Sequence, residues 1–310
     1  METVNMSKKK YNELMMLDLD PSIIHSEADF YIALLRNKPK VFKSLYINDG
    51  PSFGAKLYII ELLNTFRELL PSSFVLPDSL CSVQGKIVGF SMDIIDGTPL
   101  ELILNNPKVD LEIKKHYLKE VGKLLEQLDK IRKNTELDSI FINDLNPSNF
   151  LIEKDTNELR TIDLDSCMIG DSKPFYSRLL GRKSLINRAE CDNKYIKYNS
   201  KEEEFDELGK YDFKSRFGIF VPDANTDAYC YNMMILNFLY GGNVNLMTVN
   251  EYCDYLFYLS KIGIDHDLTE SFFKLVNTCD NNIPIESIDS LTYEQIAKAR
   301  RRTYNTVKGK

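Results

Sequence analysis

Between residues 142 and 166 the chain runs Ile-Asn-Asp-Leu-Asn-Pro-Ser-Asn-Phe-Leu-Ile, then Glu153 to Arg160, then Thr-Ile-Asp-Leu-Asp-Ser. Two short apolar runs, Phe150–Ile152 and Leu159–Ile162, flank the turn-prone Lys-Asp-Thr-Asn of residues 154–157. Runs of that length joined by such residues form a β-hairpin. The return strand then brings Asp163 back beside Asn149. An amide oxygen and a carboxylate converging from two strands are hard oxygen donors, the kind magnesium takes together with phosphate oxygens. Asp144 stands five positions before Asn149, with Pro147 stiffening the loop between them. At the mouth of that loop it is placed to accept a proton from an attacking hydroxyl. Each of these residues alone fits an ordinary polar turn; together, in this order, they describe a site.

The rest of the chain supplies elements on both sides. Phe30–Arg36 and Val41–Ile47 read as strands separated by the turn signal Asn37-Lys38-Pro39, and Lys43 lies on the second among apolar neighbours. Gly54 to Leu70 reads as a helix, apolar at Leu57, Ile60, Leu63 and Phe66 and ended by Pro71, with Glu61 inside it. Residues 85–104 read as a strand, a bend and a helix start. Asp110 to Lys133 is a long amphipathic helix with Tyr117, Val121, Leu124, Leu125, Leu128 and Ile131 on its apolar face. From Cys167 to Phe220 there is little periodicity. Further helices are expected at about Thr226–Tyr240, Val249–Lys261 and Leu268–Cys279.

Composition narrows the class. The chain has 310 residues, 43% of them hydrophobic, enough to bury a large core. A net charge of −7 argues against a dedicated nucleic-acid binder, although Lys298–Lys310 is locally basic. Six cysteines are scattered without a Cys-x-x-Cys pair, which fits reduced thiols and no zinc site. No apolar run follows Lys8–Lys10 and none reaches the length of a membrane span, so a soluble, cytoplasmic protein is expected.

Asp144-x-x-x-x-Asn149 followed by Asp163-Leu164-Asp165 resembles the catalytic loop and metal-binding triplet of the protein kinase superfamily. That resemblance, over roughly residues 20–280, implies an α+β, bilobal protein kinase-like fold. A small β-rich lobe with one helix (residues 1–96) would precede a larger, mostly helical lobe (97–310). It implies ATP and Mg2+ as cofactors, with Asn149 and Asp163 holding the metal and Asp144 as catalytic base. Lys43 would contact the phosphates and pair with Glu61, eighteen positions later. Met92 would line the adenine pocket, with the backbones of Asp93 and Ile95 bonding the purine edge. Asp227 would hold the backbone of the catalytic loop. The expected reaction moves the γ-phosphoryl group to a hydroxyl, with Ser or Thr of a protein substrate as acceptor.

The chain departs from the family pattern in several places. Ile23–Phe30 contains no glycine where a glycine-rich loop is usual, and glycine is what permits close backbone approach to phosphates. His-Arg-Asp becomes Ile142-Asn143-Asp144. Because Asn143 cannot neutralise a phosphate dianion, activity independent of phosphorylation between Cys167 and Pro222 is expected, unless Arg178 or Arg182 substitutes. Asn146 and Asp165 resemble small-molecule phosphotransferases such as those acting on amino sugars. A nucleotide-binding pseudokinase scaffold is the non-enzymatic alternative.

Overall fold

In the computed structural model residues 1–17, 28–35, 37–46, 48–172, 224–244, 247, 249–277 and 282–308 are described. The glycine-free stretch at 23–27, Arg178, Arg182 and Val221-Pro222-Asp223 lie outside them. The sheet-rich part is N-terminal and the C-terminal part is helical, a mixed α and β architecture.

Six strands form one sheet in the order β1-β5-β6-β4-β3-β2. They are β1 (Glu2–Met6), β2 (Met15–Met16), β3 (Ala28–Leu35), β4 (Lys38–Leu45), β5 (Ser79–Val83) and β6 (Lys86–Met92). All neighbours are antiparallel except β1, which runs parallel to β5. The β3–β4 hairpin turns more tightly than the sequence implied: Leu35 pairs with Lys38, and Asn37 takes the left-handed conformation at φ 61°. Asparagine tolerates that region, so no glycine is required. Pro39 falls within β4 but precedes the stretch, from Val41, that pairs with β6. Its missing N–H therefore breaks no ladder on that side.

Alternation along β4 explains the layering. Phe42 faces one side, packed with Met6, Ala33, Leu35 and Cys81, and Tyr11 and Leu14 cover that cluster. Tyr11 belongs to the short helix α1 (Lys8–Asn12), and its hydroxyl lies 2.9 Å from Ser44 Oγ. Val41 faces the opposite side, with Ile60, Val75, Leu80, Phe90 and Met92. Helix α2 (Gly50–Thr65) supplies Ile60. It starts four residues earlier than expected because Pro51 suits a first turn, where no N–H is needed. It ends at Thr65 and the chain tightens into a 3-10 turn at Arg67–Leu69.

Gly89 of β6 lies against β4, where an added Cβ would fall 1.9 Å from the Lys43 carbonyl oxygen. Backbone cannot yield there without breaking the ladder. Gly89→Ala should therefore destabilise the protein by about 3 kcal/mol, the upper end for overpacking. Urea denaturation measures it, and a change below about 0.5 kcal/mol would mean that β6 can shift freely.

A third hairpin partner, β7 (Gly97–Pro99), leads into α3 (Leu100–Asn105) and pairs with β9 (Phe150–Glu153), which pairs in turn with β10 (Leu159–Thr161). The short β8 (Ile140–Phe141) pairs with β11 (Met168–Ile169). Helix α4 (Leu111–Asn134) buries Tyr117, Leu118, Val121, Leu124, Leu125 and Leu128 at the spacing its periodicity implied. Helix α5 (Ala224–Tyr240) is buried nearly all round, and its Tyr231 hydroxyl donates to the Leu118 carbonyl of α4 at 3.0 Å. Gly122 leaves the room for that ring. Helices α6 (Val249–Lys261), α7 (His266–Asn277) and α8 (Tyr293–Lys308) complete the helical part. Tyr293 of α8 accepts a bond from the Leu111 N–H at 2.7 Å, satisfying one orphan donor at the start of α4.

The division into compact units differs from a single cut after residue 96. The first unit takes Met1–Leu100, Lys130–Ile142 and the described residues from Ser148 to 172. The second takes Glu101–Asp129, Asn143–Pro147 and the described residues from 224 onward. The hairpin β9–β10 stays with the N-terminal sheet because β9 pairs with β7 and the Val75 N–H donates to the Thr161 carbonyl.

Candidate functional site

The hairpin forms in the register that the sequence implied. Thr161 pairs with Phe150, and the next residue, Ile162, donates its N–H to the Asn149 carbonyl at 2.9 Å. Asn149 and Asp163 therefore flank one hydrogen bond at the hairpin's open end. Asp163 sits in the left-handed region (φ 62°, ψ 44°) and opens a 3-10 turn, Leu164–Ser166. Aspartate tolerates that region better than most residues. The turn swings Asp165 inward.

Lys43 on β4 meets both carboxylates. Its ammonium is bonded to Asp163 Oδ1 and to Asp165 Oδ1, the latter at 2.8 Å. The rings of Phe30 and Phe90 lie 5.8 and 5.7 Å from the same nitrogen and shut it from water. A second cation, Lys56 of α2, donates to Asp165 Oδ2 at 3.0 Å. The Asp165 side chain is fully buried, Lys43 is 3% exposed, and Asp163 keeps 35% exposure.

The charges follow from these partners. Burial alone would lower the Lys43 ammonium, but Asp163 and Asp165 outweigh it and hold it above lysine's ordinary value. Burial alone would raise Asp165, yet Lys43 and Lys56 hold it well below the usual carboxylate range. Burial and the neighbouring Asp165 charge push Asp163 up to about 6 against the pull of Lys43. Since Asp163 remains partly exposed, the like charge beside it is the stronger reason for that direction. Of two carboxylates on one ammonium, the one with a single cation takes the proton more readily.

One expectation is corrected. Glu61 does not pair with Lys43: it is exposed on α2, while Asp163 and Asp165 occupy the ammonium. The helix phase explains this. Phe53, Ile59, Ile60 and Leu63 are the buried positions of α2, and Lys56 falls on their face one turn before Ile60, whereas Glu61 is rotated off it. Lys56 is the member of the network that sequence reasoning missed, and Asp165, singled out there for another reason, was not read as a partner of Lys43. A signal existed for Lys56, a cation at the spacing of an apolar stripe.

Met92 is buried with Ile60, Val75, Leu80 and Phe90, and Ile95 and Ile162 pack against the same cluster. The residue before Asp163 thus shares a core with the end of β6. The Asp93 side chain is exposed and accepts from Lys40 at 2.6 Å. Lys40 also pairs with Asp78, which keeps Asp78 below the usual carboxylate range.

In the second unit, Asp144 and Asn143 are buried at 5% and 0% exposure. Asn146 donates its side-chain amide to Asp144 Oδ1 at 3.1 Å, which fixes the carboxylate's orientation. Asn143 takes φ 63°, and its backbone N–H donates to Asp227 Oδ1 at 2.9 Å across 84 residues of sequence. Asp227, in the first turn of α5, is the carboxylate that sequence order placed there. Its bond holds the loop immediately before Asp144.

Asn149 and Asp163 have the donor chemistry for a hard divalent cation. Among the described residues, the three-membered cluster of possible metal-binding groups is His266, Asp267 and Glu270, all exposed at the start of α7. Cys81 and Cys253 are free thiols. No described helix is long and apolar enough to cross a membrane. No protein-family model matches the chain, and no curated protein matches it.

Proposed function

We propose that the protein is an ATP-dependent phosphotransferase with a bilobal protein kinase-like fold, acting in the cytoplasm on a hydroxyl of a protein substrate. The observation that carries this reading is the buried Lys43, on a sheet strand, bonded to Asp163 at the end of a hairpin 120 residues later. A cation and an ionisable carboxylate joined at that point are what a triphosphate and its metal require. Asn149 and Asp163 would hold Mg2+, which would neutralise phosphate charge. Lys43 would position phosphate oxygens, because an ammonium has three donors and the two carboxylates take two. Asp144, oriented by Asn146, would accept the proton of the attacking hydroxyl.

The test is turnover. Purified protein is incubated with labelled ATP, magnesium and generic protein acceptors, and ADP and labelled protein are measured. Tight ATP binding by calorimetry without any turnover would favour a pseudokinase scaffold instead. Asn146 and Asp165 favour the second enzymatic reading, transfer to a small hydroxylated metabolite. ATP turnover dependent on such a metabolite, with no protein labelled, would establish it.

A pH dependence follows from Asp163. Its carboxyl is raised to about 6, so below that pH a proton competes with the divalent cation for the same oxygens. Magnesium-dependent turnover should be full near pH 8 and fall as pH drops through about 6. The fall should be offset by excess magnesium. A rate unchanged between pH 8 and 5 would remove Asp163 from the metal site.

A further inference from the structure

Lys43 needs a fixed carboxylate partner if its remaining donor is to meet phosphate, and the structure offers three acidic residues for that task. Glu61 is exposed and makes no bond to it. Asp163 is bonded to it but is the partly exposed member, at the open end of the hairpin beside Asn149. Asp165 is bonded to it at 2.8 Å, has no exposed side-chain surface, and is gripped on its other oxygen by Lys56 at 3.0 Å. A carboxylate with each oxygen on a separate cation cannot rotate away without giving up two charge-assisted hydrogen bonds at once.

We infer that Asp165 is the positioning residue for Lys43, and that Lys56 ties helix α2 to the same carboxylate. The role depends on the phosphotransferase reading for its purpose, but the contact does not. Lysine on the helix and aspartate on the turn after the hairpin hold β4 and α2 to one buried anion. This is the reverse of a scheme in which the helix supplies the acid. It leaves Asp163 the freedom to exchange Lys43 for a metal ion while Lys43 stays anchored.

The contact is tested without nucleotide. In protein labelled with 15N-lysine, a Lys43 ammonium held by a buried carboxylate gives a slowly exchanging signal. That signal should persist in Glu61→Gln and vanish in Asp165→Asn. Its loss in Glu61→Gln overturns the assignment. If Asp165→Asn does not fold, the same signal is read in Asp163→Asn, where it should persist if Asp165 holds Lys43; its loss there overturns the assignment. Lys56→Met should speed hydrogen exchange of α2 amides about tenfold or more, the effect of losing a charged hydrogen bond. Unchanged α2 exchange would remove Lys56 from the device. The purpose is tested separately: Asp165→Asn should raise the KM for ATP about tenfold more than it lowers kcat, with partial rescue by Asp165→Glu. A wild type that turns over no ATP would defeat the phosphotransferase reading and leave the Lys43–Asp165 result standing.

Discussion

Turnover of ATP should fall by about three orders of magnitude when Asp163 is replaced by alanine, and by a similar factor in Asp144→Ala. The two losses have different origins. Asp163 stands where the hairpin closes beside Asn149, and removing it deletes a hard oxygen donor and one of the two partners of Lys43. Asp144 is a buried carboxylate held by Asn146 and by the Asn143–Asp227 bond, and removing it deletes a proton acceptor. Excess magnesium should therefore not restore Asp144→Ala, and the two variants should differ in ATP binding: Asp163→Ala weakens magnesium-dependent binding, whereas Asp144→Ala preserves it. Equal turnover by wild type and both variants would sink the phosphotransferase reading, since chemistry of this kind is mostly positioning and charge neutralisation.

Lys43→Met should destabilise the fold by about 3 kcal/mol, the lower end for breaking a buried ion pair by removing one partner. Lys56 remains on Asp165 and keeps the loss from being larger. Thermal or urea unfolding measures it. The double variant Lys43→Met/Asp165→Asn should be less destabilised than the sum of the single changes, because the second substitution removes a buried charge that the first leaves with one cation fewer. Strict additivity would mean that the two residues do not interact in solution. The pH response of the pair has a definite sign. Asp165 is held below its ordinary range, so its contribution to stability is present above that range and is lost on strong acidification. Asp163 is raised, so its contribution opposes folding as pH rises through about 6.

The local parts of this molecule were legible in the chain. The hairpin from Phe150 to Thr161 follows from two apolar runs and a turn of fixed length, and its period-two register leaves Asp163 next to Asn149 with no choice. Helix α4 follows from its apolar stripe, and α5 from a long apolar run after Asp227. Strand β1 was not legible. Its place at the sheet edge comes from parallel pairing with β5, a partner some 77 residues away in sequence, and nothing in Glu2–Met6 announces that partner.

The site divides the same way. Sequence order alone determined that Asn149 and Asp163 would come to the same end of a hairpin, because hairpin geometry is short-range. It also singled out Lys43 as a cation on a strand otherwise apolar. What only the tertiary structure decided is which acid Lys43 meets. Counting residues favoured Glu61, but spacing along the chain does not set the rotation of a helix against a sheet. That rotation is set by burial of Phe53, Ile59, Ile60 and Leu63, which turns Lys56 inward and leaves Glu61 in water. Asp165 could be recognised only once the left-handed turn at Asp163 placed its carboxylate between two lysines. A buried ion pair is a contact between surfaces brought together by packing, and packing is not written at any single position.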